Sequence, residues 1–206
     1  MNLKEEKRIY RRGYKRVAGL DEAGRGPLSG PVVAGAVSVL HNFRIPKELM
    51  DVKDSKQLSF KKREELYKAI VKNPNLKWGI GKVSPRIIDK INILQATKLA
   101  MEKAVKNIKP DFLIIDGNFR INLNVSQKSI IKGDQKVFSI AAASIIAKVS
   151  RDRIMIKYDK KYPQYGFDKH KGYPTKLHRK MIKKHGSCKI HRYSYQLVKN
   201  NRSKIN

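Results

Sequence analysis

Val17-Ala18-Gly19-Leu20-Asp21-Glu22-Ala23-Gly24-Arg25-Gly26-Pro27-Leu28-Ser29-Gly30-Pro31 is the stretch on which the reading of this chain turns. A short apolar run ends in two adjacent carboxylates, a Gly-Arg-Gly turn follows at once, and a second apolar run starts behind it. Glycines at 24 and 26 permit backbone conformations that a side chain forbids and let a ligand approach the main chain. Arg25 between them offers a forked cation to a phosphate, with neighbouring N–H groups pointing into the same space. Asp21 and Glu22 are hard oxygen donors of the kind magnesium and manganese prefer. The expectation is a metal-and-phosphate site on a strand end.

Outward from this stretch, Arg16 to Asp21 reads as a strand. The almost continuously apolar Pro31 to Leu40 reads as a second one, covered on both faces and paired with the first as a hairpin. Trp78 to Val83 is a short strand and Asp111 to Gly117 a buried one that again ends in an acid and a glycine. A weaker strand, Ser126 to Ile131, runs into Lys132-Gly133-Asp134. Ser59 is positioned to cap a helix carrying Leu66, Tyr67, Ile70 and Val71. Ser84-Pro85 predicts the start of a long helix with a seam through Ile87, Ile91, Leu94, Met101, Val105 and Ile108, ended before Pro110. Val137 to Tyr158 predicts one helix or two joined ones, with Ala142, Ile145, Ile146, Val149 and Ile156 on one stripe. Residues 1–16, seven Lys or Arg against two Glu, show no clear periodicity and read as a frayed basic lead-in, either touching nucleic-acid backbone or merely solvated.

The 206 residues suit one domain with an appended lobe. A net charge of +30 points to a polyanionic partner, nucleic acid first, although a lysine-rich compositional bias is the bland alternative. The charge concentrates in residues 157–206, where fifteen Lys and Arg stand against two Asp, interleaved with tyrosines that either stack on a strand or pack a small lobe. A single cysteine, Cys188, implies a reducing compartment. The charged N-terminus and the lack of any run near the roughly 18 apolar residues of a membrane span imply a soluble, cytoplasmic protein.

Four acids fall at strand ends: Asp21, Glu22, Asp116 and, more loosely, Asp134. Each alone reads as a cap or surface group, but converging carboxylates repel unless a divalent cation neutralises them. Two such ions, about 4 Å apart, can activate a water and stabilise the leaving oxygen at phosphorus. An acidic pocket in a basic protein therefore reads as nuclease chemistry. Irregular histidine spacing and one cysteine argue against zinc. There is no Gly-x-x-x-x-Gly-Lys-Ser/Thr loop and no strained serine elbow.

Taken in order, the motifs resemble the type 2 ribonuclease H family, bacterial ribonuclease HII, from about Val17 to about Ser194. The resemblance is carried by Leu20 to Pro27, Asp54 to Leu58, Ile115 to Asn118, Lys132 to Asp134, Ala142 to Asp152, Tyr162 to Phe167, His170 to Thr175 and His191 to Ser194. It implies an α/β fold: an RNase H-like mixed five-stranded sheet of order 3-2-1-4-5 flanked by helices, with the catalytic domain over 17–160 and a basic helical C-terminal lobe over 161–206 packed on it. It implies an endonuclease for RNA in RNA/DNA hybrids that also cuts 5′ of ribonucleotides embedded in DNA, leaving 3′-hydroxyl and 5′-phosphate ends. Asp21, Glu22, Asp116 and Asp134 would hold Mn²⁺ or Mg²⁺, and the Gly24-Arg25-Gly26 backbone would read the ribose 2′-hydroxyl. Tyr173 would stack on the sugar of the next nucleotide, and Lys56 would lie near phosphate. A monomer, with recruitment by a DNA-replication factor left open, completes the expectation. Tyr193 and Tyr195 depart from the family pattern, which more often has arginine and phenylalanine there. Two rival readings stand beside this one: a two-metal nuclease or strand-transfer enzyme that needs no 2′-hydroxyl, and a noncatalytic nucleic-acid-binding protein.

Overall fold

Strands β1 (Val17–Ala23) and β2 (Val32–Val39) form the expected antiparallel hairpin around the Gly-Arg-Gly turn in the computed structural model, which describes residues 1–53 and 55–201. Asp54, at the head of the second family-like motif, and residues 202–206 of the C-terminal lobe lie outside the described residues. β3 (Leu76–Val83) pairs antiparallel with β2, while β4 (Phe112–Asp116) pairs parallel with β1 and β5 (Ser126–Ile130) parallel with β4. The sheet order is β3-β2-β1-β4-β5, as the resemblance implied. β2 is buried along its whole length, the burial its unbroken apolar run called for.

Seven helices accompany the sheet among the described residues: α1 (Lys4–Arg11), α2 (Phe60–Lys72), α3 (Pro85–Val105), α4 (Phe138–Lys161), α5 (Phe167–His170), α6 (Lys176–His185) and α7 (Gln196–Lys199). α4 covers one face of the sheet and α3 the other, each over its own apolar cluster. α4 comes so close that a Cβ at Gly35 of β2 would lie 2.3 Å from the Ala143 carbonyl oxygen, so only glycine fits there. Its first ten residues are buried on every side, so its buried surface is wider than the stripe through Ala142, Ile145, Ile146 and Val149. Ser59 caps α2 by accepting from Lys62 N–H at 3.2 Å, an arrangement that contributes about 1 kcal/mol. No described helix is long and apolar enough to cross a membrane.

Two expectations are corrected. Residues 4–11 are not a frayed lead-in but helix α1, with Ile9 and Tyr10 packed into the α4-side core and Glu6 buried beside them. Leu3, Glu6, Ile9 and Tyr10 do recur at helical spacing, but a glutamate in the stripe hides the pattern from a reading of hydrophobicity. The long helix after Ser84 is broken at Asn92 (φ 62°, ψ 168°), whose side chain caps the second segment by accepting from Leu94 N–H at 3.0 Å and Gln95 N–H at 3.1 Å. The break rotates the buried face onto Ile88, Ala96, Ala100, Met101 and Ala104 and leaves Leu94 exposed. Ile108, the last residue of the predicted seam, is buried beyond the helix end.

Candidate active site

The parallel register pairs Leu20 with Ile115, so the next residue on each strand, Asp21 and Asp116, stand side by side. Asp134 arrives by another route. After β5, Lys132 takes left-handed backbone (φ 56°) and a 3-10 turn, Gly133–Gln135, brings Asp134 back to the strand ends. Gly133 N–H donates to Asp116 Oδ1 at 2.7 Å and ties that turn to β4. One carboxylate oxygen each from Asp21, Asp116 and Asp134 then lies within 4.8 Å of the others. Glu22, the fourth expected acid, stands outside that triad. Its Oε1 accepts from Arg25 Nη1 at 3.3 Å, and its Oε2 is buried with no hydrogen-bond partner.

Burial pushes the Asp21 carboxyl well above the usual carboxylate range, and the charges of Glu22 and Asp116 push it the same way. Burial also raises Glu22, against the lowering effect of Arg25. Three converging hard oxygens, excess negative charge and a buried acceptor with nothing to accept from form a donor set that a divalent cation fits.

The Gly-Arg-Gly turn is built differently. Gly24 has φ +99°, and a Cβ there would fall 2.1 Å from Arg151 Nε, so both conformation and space demand glycine. Fully buried Arg192, from the C-terminal lobe, donates to the carbonyls of Gly24 (2.5 Å), Arg25 (2.8 Å) and Gly30 (3.0 Å). Tyr195 adds its hydroxyl to the Arg25 carbonyl at 2.8 Å. Buried Arg151 on α4 holds the carbonyls of Pro31 (3.0 Å) and Ser29 (3.1 Å). A trans peptide points its C=O and N–H in opposite directions, so fixing the carbonyls of Gly24 and Arg25 on Arg192 turns the N–H groups of Arg25 and Gly26 away from it. Arg25's own guanidinium is half exposed, against Glu22 and about 6.0 Å from the Phe119 ring.

Tyr173 leans over this turn: a Cβ on Gly26 would touch its ring at 3.8 Å, and the ring is 40% exposed. Its backbone carbonyl is bound by His178 Nδ1 at 2.9 Å, and His178 Nε2 meets His191 Nε2 at 3.1 Å. Burial drives both imidazoles down, His178 to about 3 and His191 to about 4, so the pair is neutral and structural. A pocket of about 390 Å³ is lined by Asp21, Glu22, Gly24, Arg25, Gly26 and Tyr173 together with the cations Lys56, Arg63 and Lys148. Arg63, Lys148, Arg151, Arg192 and Tyr195 were given no role from sequence, because a buried or pocket-facing cation cannot be told from a surface one without the fold.

A mixed sheet of this order with acids converging at the ends of its two central strands defines an RNase H-like nuclease. A family profile described as Ribonuclease HII matches residues 18–198. The chain is 53% identical over 194 residues to the ribonuclease HII of Syntrophus aciditrophicus, covering 93% of this chain and 89% of that one. Its fold is similar to the crystal structure of ribonuclease H2 from Pyrococcus horikoshii (TM-score 0.72, 30% identity, 91% of this chain and 97% of that one). It is equally similar to the solved PCNA:RNase HII complex from Archaeoglobus fulgidus (TM-score 0.75, 29% identity, 88% and 95%). The chain belongs to the ribonuclease HII family, nucleases that cleave RNA in RNA/DNA hybrids.

Proposed function

We propose that the pocket cuts the strand immediately 5′ of a ribonucleotide, both in RNA/DNA hybrids and at single ribonucleotides embedded in duplex DNA, leaving 3′-hydroxyl and 5′-phosphate ends. The observation that carries this reading is the juxtaposition of two unlike walls: a carboxylate triad within 4.8 Å and a turn whose Gly24 and Arg25 carbonyls are held on one side by a buried arginine. Asp21, Asp116 and Asp134, with the unpartnered Oε2 of Glu22, would hold Mn²⁺ or Mg²⁺. When bound, a pair of such ions would supply activation of a water and stabilisation of the leaving oxygen.

The chain's own residues do the recognising. The N–H groups of Arg25 and Gly26, turned away from Arg192, face a ribose and offer hydrogen bonds to a 2′-hydroxyl that deoxyribose lacks. Tyr173, exposed and resting on Gly26, stacks on the next sugar. Lys56, Arg63 and Lys148 supply positive charge for the flanking phosphates, and the basic C-terminal lobe extends that field along the duplex. The Archaeoglobus relative was solved in complex with PCNA, which supports recruitment of this enzyme to DNA by a replication factor.

The test is a DNA duplex with one ribonucleotide, incubated with Mg²⁺ or Mn²⁺ and with chelator, beside an all-DNA duplex. A single metal-dependent cut on the 5′ side of the ribonucleotide is expected, and robust cutting of the all-DNA duplex would overturn the reading.

A further inference from the structure

Helix α4 begins without a cap of its own. Its N-cap residue is Val137, whose side chain cannot accept a hydrogen bond, although the helix is 24 residues long and its first N–H groups have no partner within it. The missing acceptor comes from the far end of the chain. Glu6, 1% exposed on α1, accepts from Ser139 N–H at 2.8 Å, the position an N-cap side chain would ordinarily serve. A carboxylate is also the group that the positive end of a helix favours. Burial raises this carboxyl and the bond to Ser139 N–H opposes that, as expected of an acid retained for a specific contact.

What α4's first turn carries is the site. The turn holding Asp134 runs straight into it, with Val137 N–H donating to the Gly133 carbonyl at 2.8 Å and Lys136 N–H to the same oxygen at 2.9 Å. Gly133 N–H in turn holds Asp116. No free linker therefore separates the helix start from two of the three acids. Glu6 also lies before residue 18, where the family match begins, so nothing in that match assigns it a role.

We propose that Glu6 is a positioning residue for the carboxylate triad: by capping α4 from outside it fixes where Asp134 and the Gly133 bond to Asp116 are presented. The inference rests on the metal reading of the triad given above. Its test is calorimetric Mn²⁺ titration of the full chain, with no nucleic acid present, alongside amide exchange at residues 138–140 and thermal melting. Glu6→Ala should weaken Mn²⁺ binding about tenfold, the size of effect typical when a group that orients a ligand is lost, and speed exchange at Ser139. Glu6→Gln, which keeps an oxygen acceptor of the same length, should restore both. Glu6→Asp, one methylene short, should resemble Glu6→Ala and provides the comparison should the alanine variant not fold. Glu5→Ala breaks a neighbouring α1 ion pair, to Lys128 at 2.6 Å, without touching the cap, and should bind Mn²⁺ as the parent does. Unchanged binding in Glu6→Ala and Glu6→Asp, or equal losses in Glu5→Ala, would overturn the proposal. If the parent chain itself bound no Mn²⁺, the metal reading would fall and this inference with it.

Discussion

The pocket has two walls built on opposite principles. On one side Asp21, Asp116 and Asp134 crowd their oxygens within 4.8 Å, and Glu22 buries an oxygen with no partner. On the other side the turn at 24–26 has its carbonyls bound by a fully buried guanidinium and a tyrosine hydroxyl. The first wall is electrostatically incomplete, whereas the second has the carbonyls of Gly24 and Arg25 satisfied. On the function proposed above, the difference follows from the two tasks: a group that is to receive a cation is held in readiness at a cost in stability, whereas a backbone that is to discriminate one hydroxyl has to be rigid, because recognition by position fails if the position wanders.

The comparison can be broken most decisively at the acid wall. Asp21→Asn removes a charged ligand at nearly constant shape, so cleavage should fall to background while hybrid binding persists; equal activity in the variant would remove Asp21 from the chemistry. The same substitution removes a carboxyl that burial and like charge disfavour, so the metal-free protein should melt higher, by about 2–4 °C for about 1 kcal/mol. Loss of activity with gain of stability is the signature of the incomplete wall.

At the turn wall the two effects should have the same sign. Arg192→Met leaves the carbonyls of Gly24 and Gly30 without donors and that of Arg25 with Tyr195 alone, which costs about 3 kcal/mol or more by chemical denaturation, and discrimination for ribonucleotides should fall with it. Arg192→Lys should recover little, since an ammonium cannot replace a fork that spans three carbonyls. A more stable Arg192→Met protein would mean that the turn needs no external support.

Tyr173→Ala separates recognition from turn rigidity. It should lower cutting at a single embedded ribonucleotide about tenfold, roughly 1.4 kcal/mol, more than cutting of a long hybrid. Equal loss on both substrates would reduce Tyr173 to packing.

A separate effect concerns pH. His178 and His191 are pushed below their ordinary value, to about 3 and about 4, so between these values and about 6.5 the unfolded chain binds more protons than the folded one. Their contribution to stability is whole above about pH 6.5 and is lost as pH falls. Between pH 7 and 5 each of the two should cost about 2 kcal/mol, seen as a lowered melting temperature, and His178→Gln should flatten that slope.

Tyr195 has a place in this scheme. Its hydroxyl accepts from Arg192 at 3.0 Å while donating to the Arg25 carbonyl. Tyr195→Phe should therefore be mild, because Arg192 still holds the turn.

The two ends of the chain show why parts of this site are invisible in one dimension. Both are strongly basic, and both send one buried ionic group to the catalytic layer, an acid to the N–H donors of α4 and a cation to the carbonyls of the turn. In the sequence Glu6 is one of two acids among seven cations, and Arg192 is one of fifteen cations in the last fifty residues. Nothing local distinguishes either from a solvated charge.

What the sequence determined by itself is the sheet, its hairpin and the acids at its strand ends. A short, valine-rich apolar run such as Val32 to Val39 reads as a strand covered on both faces, and an acid and glycine at a strand end mark where the backbone turns toward a ligand. The grouping of Asp21, Asp116 and Asp134 without Glu22, the helix at 4–11 and the grip of Arg192 were decided by tertiary structure. The bonds that fix them join residues 17, 133 and 168 positions apart, and the free energy of a buried charge is set by what surrounds it in space rather than along the chain.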